Sequence, residues 1–292
     1  MAAYSEYEWE INAKTQRRKE YEGITMTTVK ELQEKSAKLR QFFDQHLPYA
    51  RPTPVLADFV RVQHELMWGG VWLVDGLDLK LRSFATITAQ CVNGHDFGVE
   101  HQVRTGLTVG ITAQQIKGIF IELMFYAGVP ATVFGLRIAQ EVINEREEWK
   151  AGDVSLDAEW LDSIDEMLAQ GKTLRVEHWG EDGDAEIENS LARQFIPESA
   201  ELVDGYHFGE VWRRADLSIQ ERMVCILAAL MCRGHMKQLK RHVGYALDAG
   251  LTPQQICEVF AQAGWYRGWP CVEDALEQAK GVFEAHGSTG SP

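Results

Sequence analysis

The sequence predicts an all-α protein made of two tandem copies of one helical unit. Three observations predict it. The chain lines up on itself, apolar residues recur at helical spacing, and helix starts and stops are written at matching places in both halves. The 292 residues are enough for two domains of ordinary size.

Sliding the chain by about 140 residues brings roughly sixty positions into ungapped register. Val71-Trp72 meets Val211-Trp212, Leu77 meets Leu217, Arg82 meets Arg222, and Gly94-His95 meets Gly234-His235. Gly110-Ile-Thr-Ala-Gln-Gln-Ile116 meets Gly250-Leu-Thr-Pro-Gln-Gln-Ile256, and Tyr126, Gly128 and Pro130 meet Tyr266, Gly268 and Pro270. The chain therefore reads as a duplicated and diverged unit.

Each copy reads as helices. Residues 81–91 and 223–231 carry apolar positions three and four apart, and Gly94 and Gly234 break the pattern. A second helix carries His101 and Val103 in one copy, and His242 and Val243 in the other. Thr112 and Thr252 precede Gln at the third helical position, the signature of a capping box, and Pro253 sits at the tolerated first position. These helices end at Gly128-Val-Pro130 and Gly268-Trp-Pro270, and final helices are expected over 131–148 and 272–285. No stretch alternates like a half-buried strand. Residues 151–157 read as the junction, 180–186 as a solvated acidic loop, and 287–292 as a disordered tail. The expected organisation is an N-terminal extension (1–15), a first domain (16–150), a second domain (158–286) and the tail.

The formal charge of −14 argues against a nucleic-acid partner, because phosphates would be repelled. No apolar run is long enough to span a bilayer, and the first residues lack the apolar core of a secretory signal. Five cysteines without C-x-x-C spacing fit reduced thiols in a cytosol, and no close Cys/His quartet suggests zinc.

The second copy holds Phe208-Gly-Glu-Val-Trp212, Arg222, Gly234, Gln238-Leu-Lys-Arg-His242-Val, Ala246-Leu, Gly250-Leu-Thr, Tyr266 and Gly268-Trp-Pro270, in that order. The first copy repeats much of it with Trp68-Gly-Gly-Val-Trp72, Leu81-Arg82, Gly94, Gly110-Ile-Thr and Tyr126-Ala-Gly-Val-Pro130. This ordered set resembles the carboxymuconolactone decarboxylase family, over about 16–148 and again from about 161 to the end. The resemblance implies the helical unit shared with the alkylhydroperoxidase D type, assembly of such units into rings with sites between them, and loss of carbon dioxide from a lactone acid with no metal or organic cofactor. The expected partners are a small carboxylic acid or lactone and further copies of the chain, as a dimer or trimer of fused pairs. The thiol-redox branch of the superfamily uses a C-x-x-C pair. The matching positions hold His95 and Gly98, and His235 and Gln238, which argues against that chemistry and for a decarboxylase or a non-catalytic binding protein.

A cofactor-free decarboxylase needs a cation for the substrate carboxylate, stabilisation of an enolate-like charge, and a proton for the carbon left behind. His242 matches the family's characteristic histidine and is the expected proton donor. In the first copy Gln102 stands there, and His101, one residue away, is rotated about 100° around the helix. Either that site has lost the chemistry or His95 rebuilds it from the preceding turn, as His235 would in the second copy. Arg82 and Arg222, lone charges on apolar helices, are either ligand-facing or salt-bridged. Glu122 lies among apolar neighbours and is either a buried acid with a raised pKa or a solvated or arginine-paired carboxylate. Its counterpart is Gln262, so an acid role is expected only in the first copy. Trp72, Trp212, Tyr126, Tyr266 and Gln238 are candidate pocket walls, and Trp265 and Trp269 suggest a larger aromatic wall in the second copy. Unlike copies allow each site to take one wall from each, so that one copy can lose its acid and still shape a pocket.

Overall fold

Short polar side chains start the helices of the core. In the computed structural model, which describes residues 28–44, 57–150 and 160–289, Asp78, Ser163, Ser190 and Ser218 each accept a hydrogen bond from a first-turn amide. Thr112 and Thr252 do so within complete capping boxes closed by Gln115 and Gln255, as the repeat predicts. Gly128 and Gly268, at φ 85° and 121°, end the helices that those threonines start. A side chain at either place would be strained, and the following proline opens the next helix.

The first copy comprises α1 (Val29–Asp44), α2 (Ala57–Val62), α3 (Leu79–Val92), α4 (Asp96–Thr108), α5 (Ala113–Ala127), α6 (Val129–Ile143) and the short α7 (Glu147–Lys150). The second comprises α8 (Ile164–Glu188), α9 (Leu191–Phe195), α10 (Pro197–Asp204), α11 (Ile219–Arg233), α12 (Met236–Asp248), α13 (Pro253–Arg267) and α14 (Pro270–Thr289). No strand occurs among the described residues. In both copies the helix before the first core helix widens into one π turn, at Gln63–Trp68 and at Gly205–Val211.

The copies do not fold as separate beads. The almost wholly buried α3 and α11 lie side by side, α5 packs on α11, and α13 packs on α3. One continuous apolar core results, with Phe84, Ile87, Ile116 and Leu123 from one copy and Val224, Leu227, Ile256 and Phe260 from the other. A smaller cluster of Leu39, Phe43, Met67, Trp68 and Trp72 closes the first copy, and Trp265 and Tyr266 of the second pack against it beside Leu73, Leu79 and Val109.

Three expectations need correction. Residues 180–186 are not a loop. Gly180, at φ 70°, kinks α8, and the chain continues as helix with Glu181, Asp182 and Glu186 in solvent. Asp184 turns inward, where Arg175 meets it at 2.7 Å and neutralises it. The tail begins later than expected, because α14 continues to Thr289, while 290–292 lie outside the described residues. The final helix of the first copy stops at Ile143, and Glu147–Lys150 is a separate turn. The proposed junction, 151–157, and the N-terminal extension lie outside the described residues.

Helix α8 crosses the second π turn at Gly209, where an added Cβ would run into the carbonyl oxygen of Met167. Gly69 meets the carbonyl of Leu32 on α1 in the same way. Gly209→Ala is therefore expected to cost more than about 2 kcal/mol, since backbone rather than a flexible side chain must move. A thermal midpoint unchanged to within a degree would contradict this close approach.

Candidate active site

The π turn at Gly205–Val211 and the apolar register of α11 aim His207, Trp212 and Arg222 at one point, and the side chain that meets them there comes from the other copy. Glu122, on α5, is fully buried. Its Oε2 accepts from Arg222 at 2.6 Å, and its Oε1 lies 3.1 Å from His207 Nε2 and 3.2 Å from Trp212 Nε1. Burial pushes this carboxyl up, but the hydrogen bond from His207 and the charges of His207 and Arg222 outweigh it, so its pKa is lowered. The structure thus places Glu122 as a partner of Arg222. It reaches across to the second copy's arginine.

The arginines are committed inside the fold. Arg222 donates to the carbonyls of Val211 and Arg214, both at 2.8 Å, as well as to Glu122. Arg82 donates to Leu77 O, Val74 O, Gln262 Oε1 and Glu258. Both side chains are buried, so neither is free to clamp a substrate carboxylate in this structure.

Beside this network opens a cavity of about 240 Å³ lined by Phe125, Tyr126, Leu230, His235, Gln238 and His242. His242 Nδ1 lies 2.9 Å from the carbonyl of Gln238, one turn back on α12, so it carries the proton of the neutral ring. That leaves Nε2 as acceptor, 3.5 Å from the Tyr126 hydroxyl. Burial keeps this hydroxyl protonated, with its pKa well above the usual phenol value, and the nearby Glu122 charge adds to the effect. Burial also pushes His242 down to about 4, against an opposing contribution from the Gln238 carbonyl. The resting imidazole is thus neutral near pH 7, a base that must gain a proton before it can give one.

His101 is likewise pushed down to about 4, chiefly by burial, and stands between Trp68 and Phe97 rather than in the cavity. His242 and His101 make a pH prediction. Their unfolded forms take protons near pH 6.5, whereas the folded forms resist until about pH 4. Stability is expected to be complete above pH 6.5 and to fall as the pH drops towards 4. The His242 share is on the order of 1–2 kcal/mol after discounting for solvent at the cavity mouth. Urea unfolding at pH 7 and pH 5 checks this, and His242→Gln should show the smaller difference.

The other half of the molecule holds a parallel arrangement that keeps a buried arginine, Arg82, and its carboxylate partner Glu258. Trp72 donates to the Tyr266 hydroxyl at 3.2 Å. Gln262 stands for Glu122, Met67 for His207, and Gln102 for His242. Trp265 packs on this first-copy cluster, whereas Trp269 is exposed, so the two do not form one wall in the second copy. His95 is exposed and bound to Gln90 at 3.0 Å, and an added side chain at Gly98 would meet the same Gln90. The structure thus gathers His242, His235, Gln238 and Tyr126 at one cavity, with Trp212, Arg222 and Glu122 behind it. His95, His101, Arg82, Trp72 and Tyr266 belong to the other side.

Sequence reasoning missed His207. Laying Tyr206-His207-Phe208 over Leu66-Met67-Trp68 would have shown that this histidine is lost together with His242's counterpart. None of the five cysteines lines the cavity, and burial pushes the thiols of Cys91, Cys225 and Cys232 up to about 12.

The carboxymuconolactone decarboxylase family model matches residues 57–141 and again 197–281, more than half of the chain. The 4-carboxymuconolactone decarboxylase of Acinetobacter baylyi is 26% identical over 122 residues, 41% of this chain and 89% of its own length. Nitrosuccinic acid decarboxylase of Metarhizium robertsii is 28% identical over 103 residues, 34% of this chain and 72% of its own. A solved Burkholderia xenovorans protein, assigned as a gamma-carboxymuconolactone decarboxylase subunit, aligns over 88% of this chain and 98% of its own, with a TM-score of 0.49 and 20% identity. With the family pattern matched separately in each half of the fold, the chain is a tandem member of the carboxymuconolactone decarboxylase family.

Proposed function

We propose that the protein is a cofactor-free carboxy-lyase acting on a small carboxylated lactone or related oxo-acid, with one working site per chain, built around His242. The observation that carries this reading is the cavity in which a neutral imidazole, held by the Gln238 carbonyl and the Tyr126 hydroxyl, faces open space. Relatives named for decarboxylation of two different acids support the reaction type and leave the acid itself open.

In this reading the substrate enters as a carboxylate. Its negative charge beside Nε2 raises the proton affinity of His242, so acid and proton are taken up together. The bond between the carboxyl carbon and its neighbour then breaks. Carbon dioxide leaves, and the electron pair passes into the adjoining unsaturated carbonyl system as an enolate. Gln238 and His235, at the cavity wall, supply hydrogen bonds to that developing charge. The Nε2 proton moves to carbon, and the neutral imidazole is restored. One proton is consumed per carbon dioxide released.

Self-association belongs to the same reading. Val129, Val133 and Phe134 on α6, and Phe195, Ile196, Leu202 and Val203 around α9 and α10, are large apolar residues exposed on the single chain. A cytosolic location is also part of it, and no helix among the described residues is long and apolar enough to cross a membrane.

The test is carbon dioxide release from 4-carboxymuconolactone, nitrosuccinic acid and a panel of carboxylated lactones and oxo-acids. Release from any of them, abolished by loss of His242, supports the reading. No release from any member by folded protein overturns it.

A further inference from the structure

The two arginine sites differ in a way that separates what the fold needs from what it does not. Each buried arginine needs a counter-charge. Arg222 has Glu122, and Arg82 has Glu258 at 2.9 Å. Glu258 lies one helical turn before Gln262, the position equivalent to Glu122, so the carboxylate has moved by four residues and the ion pair between copies is kept. The tryptophan and tyrosine of the frame are kept as well. What the Arg82 site lacks is the histidine on the carboxylate, where Met67 stands for His207, and the histidine at the cavity, where Gln102 stands for His242. The two histidines thus differ together between the two sites.

The contacts of His207 run towards that carrier. One face stacks on Phe125, with ring centres 4.1 Å apart, and its edge meets Tyr126 at 5.6 Å. Phe125 and Tyr126 both line the cavity, and the Tyr126 hydroxyl is the group opposite His242 Nε2. Glu122 fixes the far end of His207 through Nε2.

We propose that His207, anchored by Glu122, is a positioning residue that holds Tyr126 against His242 and so controls when that imidazole takes up a proton. The inference deepens the decarboxylase reading but does not depend on identifying the substrate. From α5 His242 faces Tyr126 and, behind it, Glu122, and from the π turn it faces His207. On α12 it faces Tyr245 and Arg241, the latter held by Glu186 of α8. Around the cavity stand His235 and Gln238, and α11 contributes Leu230. Without His207 the tyrosine loses its packing partner, the hydroxyl no longer pins Nε2, and the charged ring becomes easier to form.

The experiment is an NMR titration of the His242 imidazole in the full chain, assigned by its absence in His242→Gln. It compares wild type with His207→Met, which imports the residue the first copy holds. The expected result is an upward shift of the His242 midpoint by about half a pH unit or more, with the thermal midpoint within a few degrees of wild type. A folded His207→Met protein whose His242 titrates as in wild type overturns the proposal. If His207→Met does not fold, His207→Gln, which retains an N–H for Glu122 but not the ring on Phe125, is read by the same criterion. The readout needs no substrate. A clear shift in a protein silent on every acid would sink the decarboxylase reading alone, and turnover with an unmoved midpoint would sink this proposal alone.

Discussion

Glu122→Ala is expected to lower the unfolding free energy by about 3–5 kcal/mol, because it leaves a buried guanidinium with no carboxylate. Arg222 would keep two carbonyl acceptors, and neither neutralises its charge. The equivalent change in the other half, Gln262→Ala, is expected to cost only about 1–2 kcal/mol, the value of hydrogen bonds to Arg82 and Thr86. Arg82 would still hold Glu258. Urea unfolding of the two variants side by side measures the contrast. Equal losses would mean that the charge, as opposed to the filled volume, does not matter. Moving the carboxylate to the position it occupies in the other site is not open as a rescue, since Gly118, the counterpart of Glu258, is pressed against Asp216 and Leu217.

His242→Ala is expected to lower kcat for carbon dioxide release by about 10²–10⁴-fold, the usual share of a positioned proton carrier. Gln102→Ala is expected to leave kcat within about twofold, because Gln102 is buried and neutral residues stand at the positions equivalent to Glu122, His207 and His242. Loss of activity in Gln102→Ala would show that the first arginine site does chemistry. A His242→Ala protein with full turnover would move the search to His235 and Tyr126, the other proton-bearing groups at the cavity.

Much of the fold was legible because local signals repeat. Thr112 and Thr252, with Gln three residues later, announced two helices, and Gly128-Val-Pro130 and Gly268-Trp-Pro270 announced their ends, all of which the structure holds. The stretch at 180–186 misled because its charges look like a loop, whereas a helix can turn Glu181 and Asp182 to water while Arg175 neutralises Asp184 from within the same helix. The cavity residues His242, Gln238 and Tyr126 were legible as a set only through the family pattern. The partners of Glu122 were not, because they lie 85 and 100 positions away, across the boundary between copies. Periodicity shows which face of α5 is buried, and says nothing of what it is buried against.

The crossing of α5 onto α11 and of α13 onto α3 has a consequence for how this chain can change. In an assembly of identical single units, one altered codon would alter every site at once. Here each arginine site is written half in one repeat and half in the other, so the losses at the Arg82 site are spread over Met67, Gln102 and Gln262. Neither repeat can be trimmed away as the idle one. The repeat that contributes Gln102 also supplies Glu122 and Tyr126 beside the cavity of His242, and its removal would unbuild a cavity that its sequence, read alone, does not contain.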